Sequence, residues 1–94
     1  MHATLKNPVH PGAILKHEFL LPLCLSEGQL AKRLGVPRTR IERLTKGTTS
    51  MTPDTAFRLA RFFGTTPQFW MNMQINHDIT HTQVDVSHIE PLRV

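Results

Sequence analysis

Two helix breakers, Gly35 and Pro37, stand within three residues of each other between two short, regularly patterned segments. Ahead of them, Ser26 followed three residues on by Gln29 has the form of a capping box. Leu30, Ala31 and Leu34 then make an apolar stripe at helical spacing, which Gly35 ends. Behind them, Ile41 and Leu44 form the inward pair of another short helix, closed by Gly47. Helices this short, joined only by Gly35-Val36-Pro37, have to cross steeply. Ala31 is small enough to let the following helix approach closely, and Gly35 allows the tight exit. No extended sheet accommodates this spacing of breakers.

The flanks extend the pattern to five helices and an all-α domain. A first helix starts at Pro11, suited to an opening turn. It presents Ile14, Leu15, Phe19 and either Leu20 or Leu21, and is expected to stop at Pro22. Thr52 caps a fourth helix, with Pro53 in its first turn and Asp54 at its positive end; Ala56, Leu59, Ala60 and Phe63 are its core face, and Gly64 ends it. Thr66 and Pro67 repeat the device for a fifth, running from Phe69 to about Asp78. Beyond it, Val84, Val86 and Ile89 show only a weak two-residue alternation, so an extended or disordered tail is expected. The resulting division is an N-terminal arm (1–9), the crossed-helix domain (10–78) and a tail (79–94).

At 94 residues the chain is one domain, too small for an enzyme built around an interdomain cleft. Its single cysteine excludes a disulfide scaffold and suits a reducing cytoplasm. No apolar run approaches membrane-spanning length, and Met1–Lys6 lack the apolar core of a secretory leader, so a cytoplasmic protein without membrane association is expected. The charge is concentrated. Residues 26–47 contain Lys32, Arg33, Arg38, Arg40, Arg43 and Lys46 against Glu27 and Glu42, which is the whole net charge of +4. A solvated helix face and a polyanion-binding face both fit that count.

Helical geometry separates them. With Ile41 and Leu44 inward, Thr39, Arg43 and Lys46 point almost directly away, Glu42 and Arg40 flank them, and Arg38 sits at the exposed N-terminal end. That is a helix-turn-helix whose second helix is shaped to enter a major groove. Arg38 and Arg43 suit guanine, and Thr39 suits a base edge or a thymine methyl. Arg40 and Lys46 suit phosphates, which position without specifying. Double-stranded DNA is thus the expected partner. A protein-interaction module whose basic helix binds an acidic protein remains the alternative from another class.

Leu30-Ala31-Lys32-Arg33-Leu34-Gly35-Val36, with Ile41 and Gly47, resembles the Cro/XRE-type (lambda-repressor-like) helix-turn-helix of bacterial and phage repressors. The flanks His10-Pro11-Gly12-Ala13-Ile14-Leu15, Thr55-Ala56-Phe57-Arg58-Leu59-Ala60, Phe63-Gly64-Thr65-Thr66-Pro67 and Phe69-Trp70-Met71-Asn72-Met73-Gln74 are similar to HigA/VapI-type antitoxins of bacterial toxin–antitoxin operons. The resemblance implies a homodimer that represses its own operon and neutralises a HigB-type mRNA endonuclease encoded by the adjacent gene. It places base contacts on Arg38, Thr39 and Arg43 and backbone contacts on Lys46 and the start of the second helix. A stand-alone repressor without a toxin would share every DNA-binding residue. The chain departs from the family pattern at Cys24, a usual Gly, at Glu27, often Gln, and at Thr48-Thr49, where Arg is common.

Other constellations carry little chemistry. His77 and His81 have a helical metal spacing but no Glu and no placed third ligand, so neither metal nor cofactor is expected. No nucleophile–base arrangement is present in the sequence, which argues for a binding protein rather than an enzyme. Cys24 reads as apolar-flanked core filler. On the fifth helix, Phe69, Trp70 and Met73 form one apolar stripe and Met71 and Ile75 lie on the other side. A helix apolar on two faces needs two partners, so Met71 and Ile75, extended by Val84 and Val86, are the expected homodimer contact.

Overall fold

The computed structural model describes residues 9–93. Most of the expected N-terminal arm (1–9) therefore lies outside the described residues. The elements are α1, which begins as Pro11–Ile14 and continues as a π-helical stretch Leu15–Leu20, then α2 (Glu27–Leu34), α3 (Arg38–Thr45), α4 (Pro53–Phe63) and α5 (Pro67–Thr80). No strand occurs among the described residues.

The starts and stops follow local chemistry. Ser26, Thr52 and Thr66 each accept a hydrogen bond from the backbone N–H three residues on, satisfying donors that the first helical turn leaves free. At Ser26 the box is reciprocal, because Gln29 Oε1 accepts from the Ser26 N–H at 2.8 Å. Gly35 ends α2 at φ 72°, and the N–H groups of Gly35 and Val36 close on the Lys32 and Ala31 carbonyls at 3.3 and 3.0 Å. The chain thereby turns directly into α3 at Pro37.

The π-helical stretch settles a choice left open by the sequence. Leu15 and Leu20 are five residues apart, out of phase with a repeat of 3.6. The wider ladder, seen where Leu21 N–H reaches the Lys16 carbonyl at 3.0 Å, turns both inward. Leu20 is buried and Leu21 is exposed.

Ending that ladder brings a correction at Cys24. The thiol is exposed rather than core filler, and the residue is held at φ 53°. The chain has to reverse between Pro22 and Ser26, and a left-handed residue does so while Leu25 folds back under the domain. This is the position where a Gly is usual in the resembled family.

The core gathers Leu15, Leu20, Leu30, Ala31, Leu34, Ile41, Leu44, Met51, Ala56, Leu59 and Trp70 around the α2–α3 crossing. Trp70 is fully buried, and its indole N–H donates to Thr65 Oγ1 at 2.8 Å. Phe19 closes over it with a ring separation of 5.1 Å. Phe63, expected in the core, is half-buried against this cluster.

On α5 the faces divide differently from the expected stripes. Trp70 and Gln74 are buried, and Met73 and also Met71 pack in part against the core, while Phe69 is 40% exposed at its edge, against Trp70 and Phe19. Gln74 holds an inward place because its polar ends are met. Its Oε1 accepts from the Met51 N–H at 2.6 Å, and its Nε2 donates to Asp78 Oδ1 at 2.9 Å. The helix continues to Thr80, and residues 81–93 follow as exposed chain with a turn in which Ile89 N–H reaches the Val86 carbonyl at 3.0 Å.

Candidate nucleic-acid interface

Ile41 and Leu44 are buried, at 0% and 2% exposure, which fixes the rotation of α3. Thr39, Arg43 and Lys46 are accordingly exposed, as are Arg38 and Arg40. Thr39 and Arg43 line an open groove with Thr49 and Ser50 of the following loop. The structure thus brings all of Arg38, Thr39, Arg40, Arg43 and Lys46 to the outer side of α3 and its exit.

Their electrostatic situations differ. Arg38 donates from Nε to Glu42 Oε2 at 2.7 Å, one turn along the same helix, and its side chain stays 70% exposed. Such a surface pair is weak and can be exchanged for another anion. Arg40 instead donates from Nη1 to Asp54 Oδ2 at 2.5 Å, and Arg58 Nε donates to the same oxygen at 3.0 Å. Hydrogen bonds from Arg40 and then Arg58 hold the Asp54 carboxyl below its ordinary range. Arg58 Nη1 also donates to the Leu34 carbonyl at 2.8 Å, at the C-terminal end of α2. One network thus links α2, α3 and α4. Arg43 and Lys46 form no ion pair among the described residues, which leaves two free cations one and two turns beyond Thr39 on the same face.

The last turn of α3 is also braced. Thr45 Oγ1 donates to the Glu27 carboxylate, tying the end of α3 to the first turn of α2. Glu27 is thereby engaged within the domain. Thr48 donates to the Arg43 carbonyl from its N–H at 3.0 Å and from its hydroxyl at 3.1 Å.

Sequence reading missed Asp54 and Arg58 as neighbours of the basic helix. Their opposite charges at a four-residue spacing on α4 were visible, but the partner on α3 is a tertiary contact. His77 and His81 stack with ring centroids 4.2 Å apart instead of converging on a point.

Residues 19–70, more than half of the chain, match the helix-turn-helix family. The chain belongs to that family. Its relatives include the HigA and VapI proteins. It is 43% identical over 77 residues to virulence-associated protein I of Dichelobacter nodosus, an overlap covering 82% of this chain and 71% of that protein. Among solved structures, Pseudomonas aeruginosa antitoxin HigA with the higBA promoter is 37% identical, with a TM-score of 0.76 over 78% of this chain and 79% of that one. PA4674 of Pseudomonas aeruginosa, in complex with 28-bp operator DNA, is 34% identical with a TM-score of 0.85, over 92% of this chain and all of its own. The fold is therefore that of a DNA-binding helix-turn-helix antitoxin or regulator. Among the described residues no helix is long and apolar enough to cross a membrane.

Proposed function

We propose that this chain is a sequence-specific DNA-binding antitoxin that represses its own operon and neutralises a HigB-type mRNA endonuclease encoded next to it, with no catalytic role of its own. The observation that carries the DNA half is the free Thr39–Arg43–Lys46 face on a helix whose rotation is fixed by two buried residues. Arg38, Thr39 and Arg43 read bases, and Lys46 and Arg40 meet phosphates, Arg40 exchanging Asp54 for the backbone anion. Support for the toxin half is the likeness to an antitoxin solved with its promoter and to antitoxin HigA-1 of Vibrio cholerae.

A helix of eight residues is about 12 Å long and reaches only a few base pairs. Two copies are needed to select a site, so the reading includes a homodimer on an inverted-repeat operator. Its contact surface is Ile75, Val84 and Val86, all exposed, with half-buried Met71 at the edge. Half-site centres should lie about 34 Å, or roughly 10 bp, apart, or a multiple of that.

The test pairs two assays of one variant carrying Arg38→Ala, Thr39→Ala and Arg43→Ala. It should lose preference for its own promoter DNA yet still retain the neighbouring gene product in a pull-down. Loss of that partner would make α3 a protein-binding surface, the interaction-module reading. A wild-type protein that binds the promoter but retains no neighbour would be a stand-alone repressor.

A further inference from the structure

The DNA reading leaves His10-Pro11-Gly12 unexplained, although these residues meet the exit of the reading helix. His10 caps α1, and its Nδ1 accepts the Gly12 N–H at 2.9 Å. The ring edge packs on His77 of α5, with centroids 5.2 Å apart. Its carbons lie 3.9–4.0 Å from where a side chain on Gly47 would begin, directly after α3. Gly12 in turn is pressed so closely on the last turn of α3 that an added Cβ would stand 1.7 Å from the Leu44 carbonyl oxygen. One imidazole therefore touches the start of α1, the loop leaving α3 and the inner face of α5.

We propose that His10 is a positioning residue for DNA reading, whose neutral ring clamps the exit of α3 and whose protonation releases it. This inference rests on the DNA reading above.

The neutral form is required by the hydrogen bond. Accepting from Gly12 uses the Nδ1 lone pair, so the single ring proton sits on Nε2. A second proton would go to Nδ1 and set N–H against N–H, and the cap would be lost. The surroundings of the ring act on the same equilibrium. Burial disfavours the cation and lowers the His10 pKa, the Thr49 backbone favours the cation, His77 of α5 opposes it and Asp78 of α5 favours it. The balance lies on the side of the neutral ring. The His77 Nδ1 is buried without a hydrogen-bond partner among the described residues and lies 3.6 Å from Asp78 Oδ1.

Protonation removes the cap that holds Gly12 in register on the Leu44 carbonyl at the last turn of α3, while the Thr49 backbone keeps its hold on the ring. Lys46 projects from that exit, and Arg43 lies one turn back, its carbonyl held by Thr48. Acidification should then weaken DNA binding. That sign is unusual, since protons added to surface histidines increase positive charge and ordinarily strengthen binding to phosphates.

The discriminating variant is His10→Asn, whose amide oxygen can accept from Gly12 but does not titrate. Affinity for a duplex of the chain's own upstream promoter is measured from about pH 8 down to about pH 5, with the His10 ring titration followed in the same samples because burial lowers its pKa. The wild type should lose roughly fivefold more affinity on acidification than His10→Asn, the low end of coupling between sites. Equal pH profiles would overturn the inference. A second readout needs neither DNA nor a variant. In wild-type protein, the amide resonances of Gly12, Gly47 and Thr49 should move with the His10 ring titration, and their failure to do so would equally overturn it. Absence of promoter binding at the higher pH, with those resonances still following His10, would count against the DNA reading while upholding the clamp.

Discussion

Gly12 shows at residue scale how little freedom the packing leaves. A Cβ there overlaps backbone, not the end of a flexible side chain, so α1 or α3 has to move. Gly12→Ala should cost about 1–3 kcal/mol, as overpacking does, read as a lower urea midpoint with an unchanged slope. Cys24 predicts the opposite sign. Removing a Cβ from a left-handed residue relieves roughly 1–2 kcal/mol, against about 0.4–1 kcal/mol of added unfolded-chain entropy. Cys24→Gly should therefore stabilise the domain modestly in the same assay, and a loss of stability would contradict the strain assigned to that turn. On α3 the roles of neighbouring cations should separate. Arg43→Ala should cost about 1–3 kcal/mol at the operator and relax specificity at one position, whereas Lys46→Ala should weaken all sequences alike. Titrations against operator and scrambled duplexes distinguish the two.

Among the elements, the helix limits were legible because capping and breaking are local. Ser26, Thr52 and Thr66 announce starts, Gly35 and Gly64 announce ends, and the inward pair of α3 follows from spacing alone. What stayed hidden depends on partners distant in sequence. The inward turn of Leu20 requires a π-helical ladder that a 3.6-residue periodicity does not reveal. Met51 follows a polar loop and joins the apolar core, and its N–H is met there by Gln74, which is what allows Gln74 to be buried. The exposure of Arg38, Thr39, Arg40, Arg43 and Lys46 was legible from charge and rotation, but the engagement of Arg40 by Asp54 was not. That engagement yields its own test. Asp54→Asn removes the only carboxylate among the described residues that engages Arg40. Affinity for operator and scrambled duplexes should then rise alike, with the slope of log affinity against log salt little changed, since Arg40 reaches the same phosphate without giving up a carboxylate. Because the folded Asp54 carboxyl is depressed below 3.8, its bracing is present in full above that value and is lost as pH falls through the lowered folded value. Acid unfolding of Asp54→Asn should accordingly lack this contribution.

For the whole molecule the central matter is how one compact reader becomes an operator-selective protein. Ile75 is 48% exposed in the single chain, so Ile75→Glu leaves a solvated carboxylate there but places an uncompensated charge in the proposed dimer contact. Sedimentation should show a shift to monomer, with helix content unchanged by circular dichroism. A dimer of undiminished stability would move the interface elsewhere. Operator selectivity depends on α3 reading DNA bases. Its most direct test is a competition titration of wild type and the Arg38/Thr39/Arg43 triple-alanine variant, using the chain's own promoter duplex against a scrambled duplex across a salt series. Wild type should prefer the promoter and weaken steeply with salt, while the variant should bind both duplexes alike and keep a salt-dependent, sequence-independent affinity. A variant that still prefers the promoter as strongly as wild type would contradict it.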